Sequence, residues 1–237
     1  MMKTGATVVS YPQRFGRQAV CRCALLGLCL VMAMPAAVQA ADANKPHDHQ
    51  GKVKPFRVPP TQFDLSVAEK EALAAGKPVR KTIRGDGGGR GLAIIDVAAP
   101  PDVVWQRITD YPKYPKMVDN VTETEVYERK GDHIKARFIL EGAGVSIEYF
   151  VDHTYRPKDG YMTWTLDYSR DSDLDDSVGF WRVSPHPDKA GHSRVYYSID
   201  LRVGWWLPGF IENMLAKDGL TKSTEWVKRE AEKRMKK

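Results

Sequence analysis

The chain has 237 residues, of which 42% are hydrophobic, and a formal net charge of +6 at pH 7. Residues 1–40 hold four of its 36 Lys and Arg but none of its 30 Asp and Glu, so residues 41–237 carry a net charge of only +2 and do not indicate a nucleic-acid partner. All three cysteines (Cys21, Cys23 and Cys29) also lie within the first 40 residues, which excludes disulfides, thiol catalysis and cysteine–zinc sites from the remainder.

The first 40 residues have the layout of a secretory signal peptide. A basic start is followed by the apolar run "ALLGLCLVMAMPAAV" and then by Val38-Gln39-Ala40 in small-x-small form. The alternative is an uncleaved membrane anchor, but the apolar run is shorter than the about 20 residues that span a bilayer, and it contains Pro35. We therefore predict cleavage after Ala40 and a periplasmic or secreted protein.

A flexible polar lead without periodicity is predicted over residues 41–62, and one domain over residues 63–237. The segment "DLSVAEKEALAAGKPV" predicts a helix with Asp64 or Ser66 as cap and a stop at Gly76. Two strands follow, "PVRKTIRG" and "LAIIDVAA". The glycine cluster between them lacks the Gly-Lys-Ser/Thr ending of a phosphate loop and precedes a strand, so we predict a flexible hairpin connection.

A second helix is predicted in "APPDVVWQRITDY", where two prolines begin the segment and apolar residues recur at helical spacing. The stretch "ITDYPKYPKMVDNV" then places Pro112 and Pro115 three positions apart. Because a proline inside a regular helix loses a hydrogen bond and clashes with the preceding turn, the helix must end at Tyr111. The stretch is either a loop that carries chemistry or a stiff elbow whose aromatic side chains close over something.

Alternating patterns dominate the middle of the chain and predict an antiparallel meander of strands, each with one apolar face. Phe138, Tyr149, Trp164 and Tyr197 fall on those apolar faces. A long amphipathic helix is predicted from Phe210 to about Arg234, with Met214 on its apolar stripe. Together these elements predict an α+β fold in which a curved antiparallel sheet, covered on one side only, wraps the C-terminal helix and leaves a cavity between them.

Polar residues offer few candidates for chemistry. His153 is predicted on the strand face opposite Tyr149, and His133, His186 and His192 are predicted to be solvated. No nucleophilic triad, Gly-x-Ser-x-Gly elbow or His-Glu-x-x-His motif is present, and His47-Asp48-His49 is only a weak metal chelator candidate.

Two further polar features leave alternatives open. Asp171, Asp173 and Asp175 alternate as calcium ligands do, but Asp176 and Arg182 occupy the places where an EF-hand needs Gly and Glu. A solvated loop is the first interpretation, and a cation site or a partner-docking loop are the alternatives. Arg182 would have to find a partner if it pointed inward, and it could then anchor a ligand headgroup.

The order of these elements resembles the START-like superfamily, which includes birch-pollen-allergen-like, polyketide-cyclase-like and coenzyme-Q-binding proteins. The matching stretches are "IIDVAAPPDVVWQRITDYPKYPKMVDNV", "VYERKGDHIKARFIL" and "WWLPGFIENMLAKDGLTKSTEWVKREAEKR", and the resemblance extends from Leu92 to Lys233. It implies the helix-grip fold, a hydrophobic cavity for a lipid, quinone, sterol or polyketide, and an elbow at the rim of that cavity. It does not imply one activity.

The combined interpretation is a carrier or chaperone for a hydrophobic small molecule, with no catalytic residue, metal or cofactor. The rival interpretations are a cyclase or dehydratase that uses the same cavity, and a module that binds a protein partner through its acidic loop. Transient membrane contact is predicted through Trp205 and Trp206. The predicted ligand-binding residues are Tyr111, Tyr114, Met117, Phe138, Tyr149, Trp164, Arg182, Tyr197, Phe210 and Met214.

Overall fold

A computed structural model describes residues 40–85, 88–142, 144–203 and 217–236. Its strands are β1 (Val79–Gly85), β2 (Gly88–Val97), β3 (Val121–Lys130), β4 (His133–Gly142), β5 (Val145–Arg156), β6 (Tyr161–Leu166), β7 (Asp176–Pro185) and β8 (Ser193–Arg202). Its helices are α1 (Val67–Ala74), α2 (Pro101–Ile108), α3 (Tyr114–Met117) and α4 (Lys217–Met235), with 3-10 turns at Tyr111–Lys113 and Pro157–Asp159. Trp205, Trp206, Phe210 and Met214 lie outside the described residues.

All eight strands form one antiparallel sheet in the order β1-β2-β8-β7-β6-β5-β4-β3. Strands β3 to β8 are sequential neighbours, whereas β2 joins the sheet by pairing with β8. The long helix α4 packs against β2 and α2, and its Val227 and Ala231 are fully buried. This is the predicted helix-grip arrangement of a curved antiparallel sheet and a C-terminal helix, and the fold prediction is confirmed.

Strand β3 forms one edge of the sheet, and its residues disfavour pairing with a further strand. Most of its side chains are exposed, and they include Glu123, Glu125 and Glu128. Its pairing with β4 is interrupted by register shifts between Val121 and Glu123 and between Val126 and Glu128. Charges and bulges on an edge strand discourage the addition of a strand from another molecule.

The glycine cluster, residues 85–91, joins the antiparallel neighbours β1 and β2, where Gly85 pairs with Gly88 as in the predicted hairpin, but β2 begins earlier than the sequence predicted. Residues 88–91 belong to β2, where Gly91 pairs with Ile199 of β8. A Cβ atom at position 91 would overlap the side chain of Leu220 on α4, so any larger residue there would force Leu220 to move. The start of β2 was misplaced because a strand that is approached closely by another element tolerates glycine for packing reasons.

The Tyr-Pro elbow consists of two short helical turns. Pro112 lies in the first turn of the 3-10 segment and Pro115 in the first turn of α3, where a missing N–H costs no hydrogen bond. The Tyr114 hydroxyl donates a hydrogen bond to the carbonyl oxygen of Ile108 at the end of α2. The elbow is therefore a stiff connection that carries Tyr111 and Tyr114 into the core.

The outer face of the sheet is also partly covered, which corrects the expectation of a one-sided sheet. Helix α1 begins with the predicted cap, because Ser66 and Glu69 form a reciprocal capping box. Its Leu73 packs with Val79 and Ile94 into a small second core. Farther toward the N-terminus, the lead places aromatic rings on the same face: Phe63 stacks on Tyr196 at 4.6 Å, and Phe56 meets Phe180 edge-on at 4.9 Å.

A buried charge cluster ties β2, β8 and the turn after β7 together. Arg194 donates two hydrogen bonds to the Asp96 carboxylate, at 2.7 and 2.9 Å, and His186 Nε2 lies 3.0 Å from it. Burial alone would raise the pKa of Asp96, but the hydrogen bonds and charges of Arg194 and His186 hold it below its ordinary value. The prediction that His186 is solvated was wrong, because only 4% of its side chain is exposed.

Among the described residues, no helix combines the length and the apolar composition needed to cross a bilayer.

Candidate functional site

A cavity of about 470 Å³ lies between the inner face of the sheet and α4. Its lining residues come from the elbow, from strands β3 to β8, from the loop before β7 and from α4. They are Tyr114, Val118, Asp119, Asn120, Val121, Phe138, Leu140, Gly142, Ile147, Tyr149, Val151, His153, Trp164, Leu174, Ser177, Trp181, Tyr197, Ile199, Leu201, Lys222, Ser223 and Trp226. The volume falls within the range of about 300–1,000 Å³ that is usual for small-molecule sites.

Stacked aromatic rings form two walls of the cavity. On β4 and β5, Phe138 and Tyr149 lie parallel with ring centroids 5.3 Å apart. Across the sheet, Tyr197 stacks on Trp164 at 5.8 Å and contacts Trp181 at 4.5 Å. Alternation along each strand places these residues on one face, because side chains two positions apart point the same way. The walls therefore offer large, rigid apolar surfaces to a ligand.

His153 is the most unusual polar residue in this lining, and the sequence-based prediction of its face was wrong. It lies two positions beyond Val151 on β5 and therefore shares the face of Tyr149, in the cavity. Its Nδ1 lies 3.1 Å from the carbonyl oxygen of Ile134, so Nδ1 carries the proton and donates. Burial lowers the pKa of His153 to about 4, because the charged ring would lose its hydration. Its Nε2 lone pair is left as a hydrogen-bond acceptor in apolar surroundings.

The cavity tyrosines are neutral hydroxyl groups rather than acids or bases. Burial raises the pKa values of Tyr149 and Tyr197 far above 10, and a hydrogen bond with Ser223 only partly offsets this for Tyr197. Ser177 accepts a hydrogen bond of 3.3 Å from the Trp164 indole nitrogen. The site can thus bind and orient an apolar molecule through hydroxyl groups, and none of its described lining residues supplies a buried charge that would stabilise a charged intermediate.

One end of the cavity is polar and exposed. Asp119 and Lys222 lie 3.8 Å apart there, and about 60% of each side chain is exposed. Asn120, between α3 and β3, has a positive φ of 67°, which lets the chain turn sharply into β3. This end faces water and is the natural opening for a ligand.

Five of the predicted ligand-binding residues meet in the cavity: Tyr114, Phe138, Tyr149, Trp164 and Tyr197. Tyr111 and Met117 are instead buried behind its wall, where Tyr111 stacks on Tyr114 at 5.4 Å. Arg182 lies on the outer face, with Nη1 3.5 Å from the carbonyl oxygen of Pro59, because its neighbour Trp181 takes the inward position.

Phe210 and Met214 lie outside the described residues. Trp181, Leu174 and Trp226 also line the cavity, although the sequence did not predict them there. For Trp181 the signal was ambiguous, since "VGFWRV" is apolar on both strand faces.

The acidic loop before β7 is not the solvated loop that we predicted. Its carboxylates accept hydrogen bonds from the chain's own N-terminal lead: Lys45 reaches Asp171 at 3.0 Å and Lys52 reaches Asp175 at 2.6 Å. Among the described residues, no group of three or more His, Cys, Asp or Glu side chains is placed to hold a metal ion.

Comparisons with known proteins agree with this geometry. Residues 97–225, more than half of the chain, match the family model "Polyketide cyclase / dehydrase and lipid transport". A search of curated protein sequences finds no match.

Solved structures with the same fold include the Zhui aromatase/cyclase from a Streptomyces species, at 15% identity and a TM-score of 0.53 over 66% of this chain and 96% of that one. A START superfamily protein from Mycobacterium smegmatis matches at 17% identity and a TM-score of 0.50 over 66% and 98% of the two chains. A STAR-related lipid transfer protein from Xanthomonas axonopodis matches at 12% identity and a TM-score of 0.50 over 65% and 93%. At such identities the likeness shows the fold alone, whereas the family model covers the elbow, the strands of the cavity and the first part of α4. The chain belongs to the polyketide cyclase / dehydrase and lipid transport family, a START-like family of hydrophobic ligand-binding domains.

Proposed function

We propose that this protein binds a hydrophobic small molecule, of the lipid or quinone class, in the cavity and acts as its carrier or chaperone outside the cytoplasm. The observation that carries the proposal is the cavity of about 470 Å³ with its aromatic walls. Removing apolar ligand surface from water supplies the driving force, at about 0.8 kcal/mol for each buried CH₂ group.

The polar groups of the cavity define which ligand would fit best. His153 offers an acceptor at Nε2, and Tyr149 and Tyr197 offer hydroxyl groups that stay neutral. A ligand that is mostly apolar and carries a single hydroxyl group could donate to Nε2 while its hydrocarbon part contacts the rings. A charged headgroup would find no buried counter-ion among the described lining residues and would stay at the exposed end beside Asp119 and Lys222.

An enzyme of the cyclase or dehydratase type is the second candidate, and His153 is the observation that favours it. Among the described residues that line the cavity, this imidazole is the buried group that could serve as a general base. Its pKa of about 4 makes it a weak base at neutral pH, because proton transfer is most efficient when the pKa of the base lies near the working pH. Binding without chemistry therefore explains the site better.

A protein-docking role of the acidic loop is the third candidate and is the least supported. Asp171, Asp173, Asp175 and Asp176 all accept hydrogen bonds from residues of the chain's own lead. A partner would have to displace these contacts before it could use the carboxylates.

Export and membrane contact complete the proposal. Export rests on the signal-peptide layout of residues 1–40, and the membrane contact rests on the adjacent aromatic residues Trp205 and Trp206. Flotation of the protein with phosphatidylcholine vesicles, with and without the double change of both tryptophans to Ser, tests the contact. Equal flotation of the two proteins would remove it from the proposal.

The binding proposal is tested by native mass spectrometry of the protein purified from the periplasm of its own host, followed by solvent extraction and identification of what is released. We expect a near-stoichiometric apolar molecule. A clean apo mass in the absence of detergent, together with no binding of cis-parinaric acid or a short-chain ubiquinone, would contradict the proposal.

A matched pair of variants separates cavity binding from surface binding. Leu140 lines the cavity and is half-buried, so L140W would fill part of the space and weaken the binding of cis-parinaric acid at least about tenfold, since a 1.4 kcal/mol loss is a factor of ten. Val67 on α1 is 73% exposed, so V67W adds the same ring on the surface and should leave binding unchanged. Equal affinities of L140W and V67W would place the ligand elsewhere.

A further inference from the structure

The start of the lead is held by the acidic loop. The backbone nitrogen of Ala41 lies 3.0 Å from Oδ1 of Asp173. The next residue, Asp42, forms an antiparallel bridge with Asp171, in which each backbone nitrogen donates to the other's carbonyl oxygen at 3.0 Å. Ala41 is therefore fixed next to a carboxylate, immediately after the predicted cleavage site at Ala40.

The residues that follow also contact the acidic loop, and we call residues 41–53 the N-terminal strap. Lys45 and Lys52 donate to Asp171 and Asp175, and the backbone nitrogens of Lys52 and Val53 donate to the fully buried carboxylate of Asp176. Each of these three carboxylates thus receives donors from the strap.

The other side of the same loop forms part of the cavity wall. Leu174 lies between Asp173 and Asp175, is 3% exposed and lines the cavity. Ser177, three residues after Leu174 at the start of β7, lines it as well and accepts the indole hydrogen bond of Trp164. The loop is therefore a partition with the strap on its outer side and the ligand cavity on its inner side.

We propose that cleavage after Ala40 creates an α-ammonium group at Ala41 that pairs with Asp173, so that maturation of the chain locks the strap and the cavity wall behind it. The inference rests on the proposed function and on the proposed export. In the cleavage step a signal-peptidase-type protease adds water across the Ala40–Ala41 amide. The products are a carboxylate on Ala40 and an α-amino group on Ala41, which is mainly protonated at neutral pH because its ordinary pKa is about 8.

The hydrogen bonds and charges around Asp173 are compatible with a positive charge at Ala41. In the uncleaved chain the donors to Asp173 among the described residues are two backbone nitrogens, those of Ala41 and of Glu148 at 2.7 Å. Burial raises its pKa above the ordinary value, and the neighbouring charges of Glu148 and Asp171 add to this despite the two backbone hydrogen bonds.

The lysine and arginine side chains nearby already have partners: Arg137 pairs with Glu148, and Lys45 pairs with Asp171. An ammonium group at Ala41 would convert a neutral hydrogen bond into a charge-assisted one, which is about twice as strong. It would also offset the negative charge collected around Asp173.

The test compares four versions of the mature chain, residues 41–237: with a free or an acetylated amino group at Ala41, each with Asp173 or with the change Asp173→Asn. Acetylation removes the charge and adds only a small group. We measure the thermal unfolding midpoint Tm at pH 7 and the affinity for cis-parinaric acid. With Asp173 present, we expect acetylation to lower Tm by about 2–4 °C and to weaken probe binding about threefold or more. With D173N, acetylation should have no effect on either quantity.

Three results would overturn the proposal. The first is an equal Tm and affinity for the free and acetylated chains with Asp173 present, and the second is an equal effect of acetylation in D173N. The third is an intact mass of the exported protein that does not begin at Ala41. If no version binds the probe while the Tm coupling persists, the proposed ligand function fails and the locking of the strap stands.

A pH series provides a readout that does not depend on how well D173N folds. Pairing raises the pKa of the α-amino group in the folded chain. Its stabilising effect is then fully present below the unfolded value of about 8 and is lost as the pH rises through the folded value. The Tm difference between the free and acetylated chains should therefore vanish at alkaline pH, and a difference that stays constant from pH 6 to pH 10 would contradict the pairing.

Discussion

His153 should make the stability of this protein fall as the pH drops below 6.5. The residue is 7% exposed, and burial lowers its pKa from 6.5 to about 4 in the folded chain. Between these two values the unfolded chain binds a proton that the folded chain does not, so stability rises with pH in this range and is lost on acidification. At 1.36 kcal/mol for each pH unit between these two pKa values, the difference corresponds to roughly 3 kcal/mol.

The substitution H153Q removes the titration and keeps an N–H group that can donate to the carbonyl oxygen of Ile134. Urea unfolding followed by tryptophan fluorescence, repeated from pH 7 to pH 4, gives the free energy of unfolding for each protein. The decisive quantity is the change in that free energy with pH, not its absolute value. We expect the unsubstituted protein to lose about 3 kcal/mol more than H153Q over this range, which corresponds to a drop in Tm of roughly 10 °C.

The matched control is H133Q, because His133 lies on the neighbouring strand and half of its side chain is exposed. Groups that titrate elsewhere in the protein affect all three curves equally and cancel in the comparison. If the curves of H153Q and of the unsubstituted protein run parallel between pH 7 and pH 4, His153 is not buried in a neutral form and the reasoning fails.

Three further substitutions test the packing of the fold by urea unfolding. G91A should cost about 1–3 kcal/mol because its Cβ would press on Leu220, and the double variant G91A/L220A should lose less than the sum of the single losses; simple additivity would argue against the contact. D96N should cost about 3–5 kcal/mol, since it leaves Arg194 partly buried without its carboxylate, and a loss under 1 kcal/mol would refute the importance of that pair. S66A should cost about 1 kcal/mol through the lost cap of α1, and an unchanged urea midpoint would show that α1 does not contribute to the cooperative fold.

The sequence was sufficient for most of the fold because local signals and tertiary contacts agree. The cap at Ser66, the prolines before α2 and the alternation in β4 and β5 each act over a few residues, and each lies where it was predicted. The same alternation placed Phe138 and Tyr149 correctly on the cavity face. Period-2 patterns settle the face of a side chain whenever only one face is apolar.

Where both faces of a strand are buried, the period-2 pattern cannot show which face a side chain lies on. In β7, Phe180 is covered from outside by Phe56, so the strand is apolar on both sides and the inward direction of Trp181 could not be deduced. The prediction that the acidic loop is solvated was wrong for a related reason. Its partners, Ala41 and Lys45, lie about 130 residues away in the chain, and no local pattern reveals a contact at such separation.

The pairing of β2 with β8 has a consequence for the order in which the chain can fold. Ser198 of β8 and Gly91 of β2 share a hydrogen bond across 107 positions, whereas strands β3 to β8 each pair with a sequence neighbour. Contacts between distant segments form late, because a large loop must close before they contribute any stabilisation. A chain still in synthesis, or one truncated before Ser193, would therefore leave β2 with an unpaired edge and its buried residues Ala93, Ile94 and Ile95 open to other chains. Pairing with β8 therefore also protects the edge of β2 against aggregation with other chains.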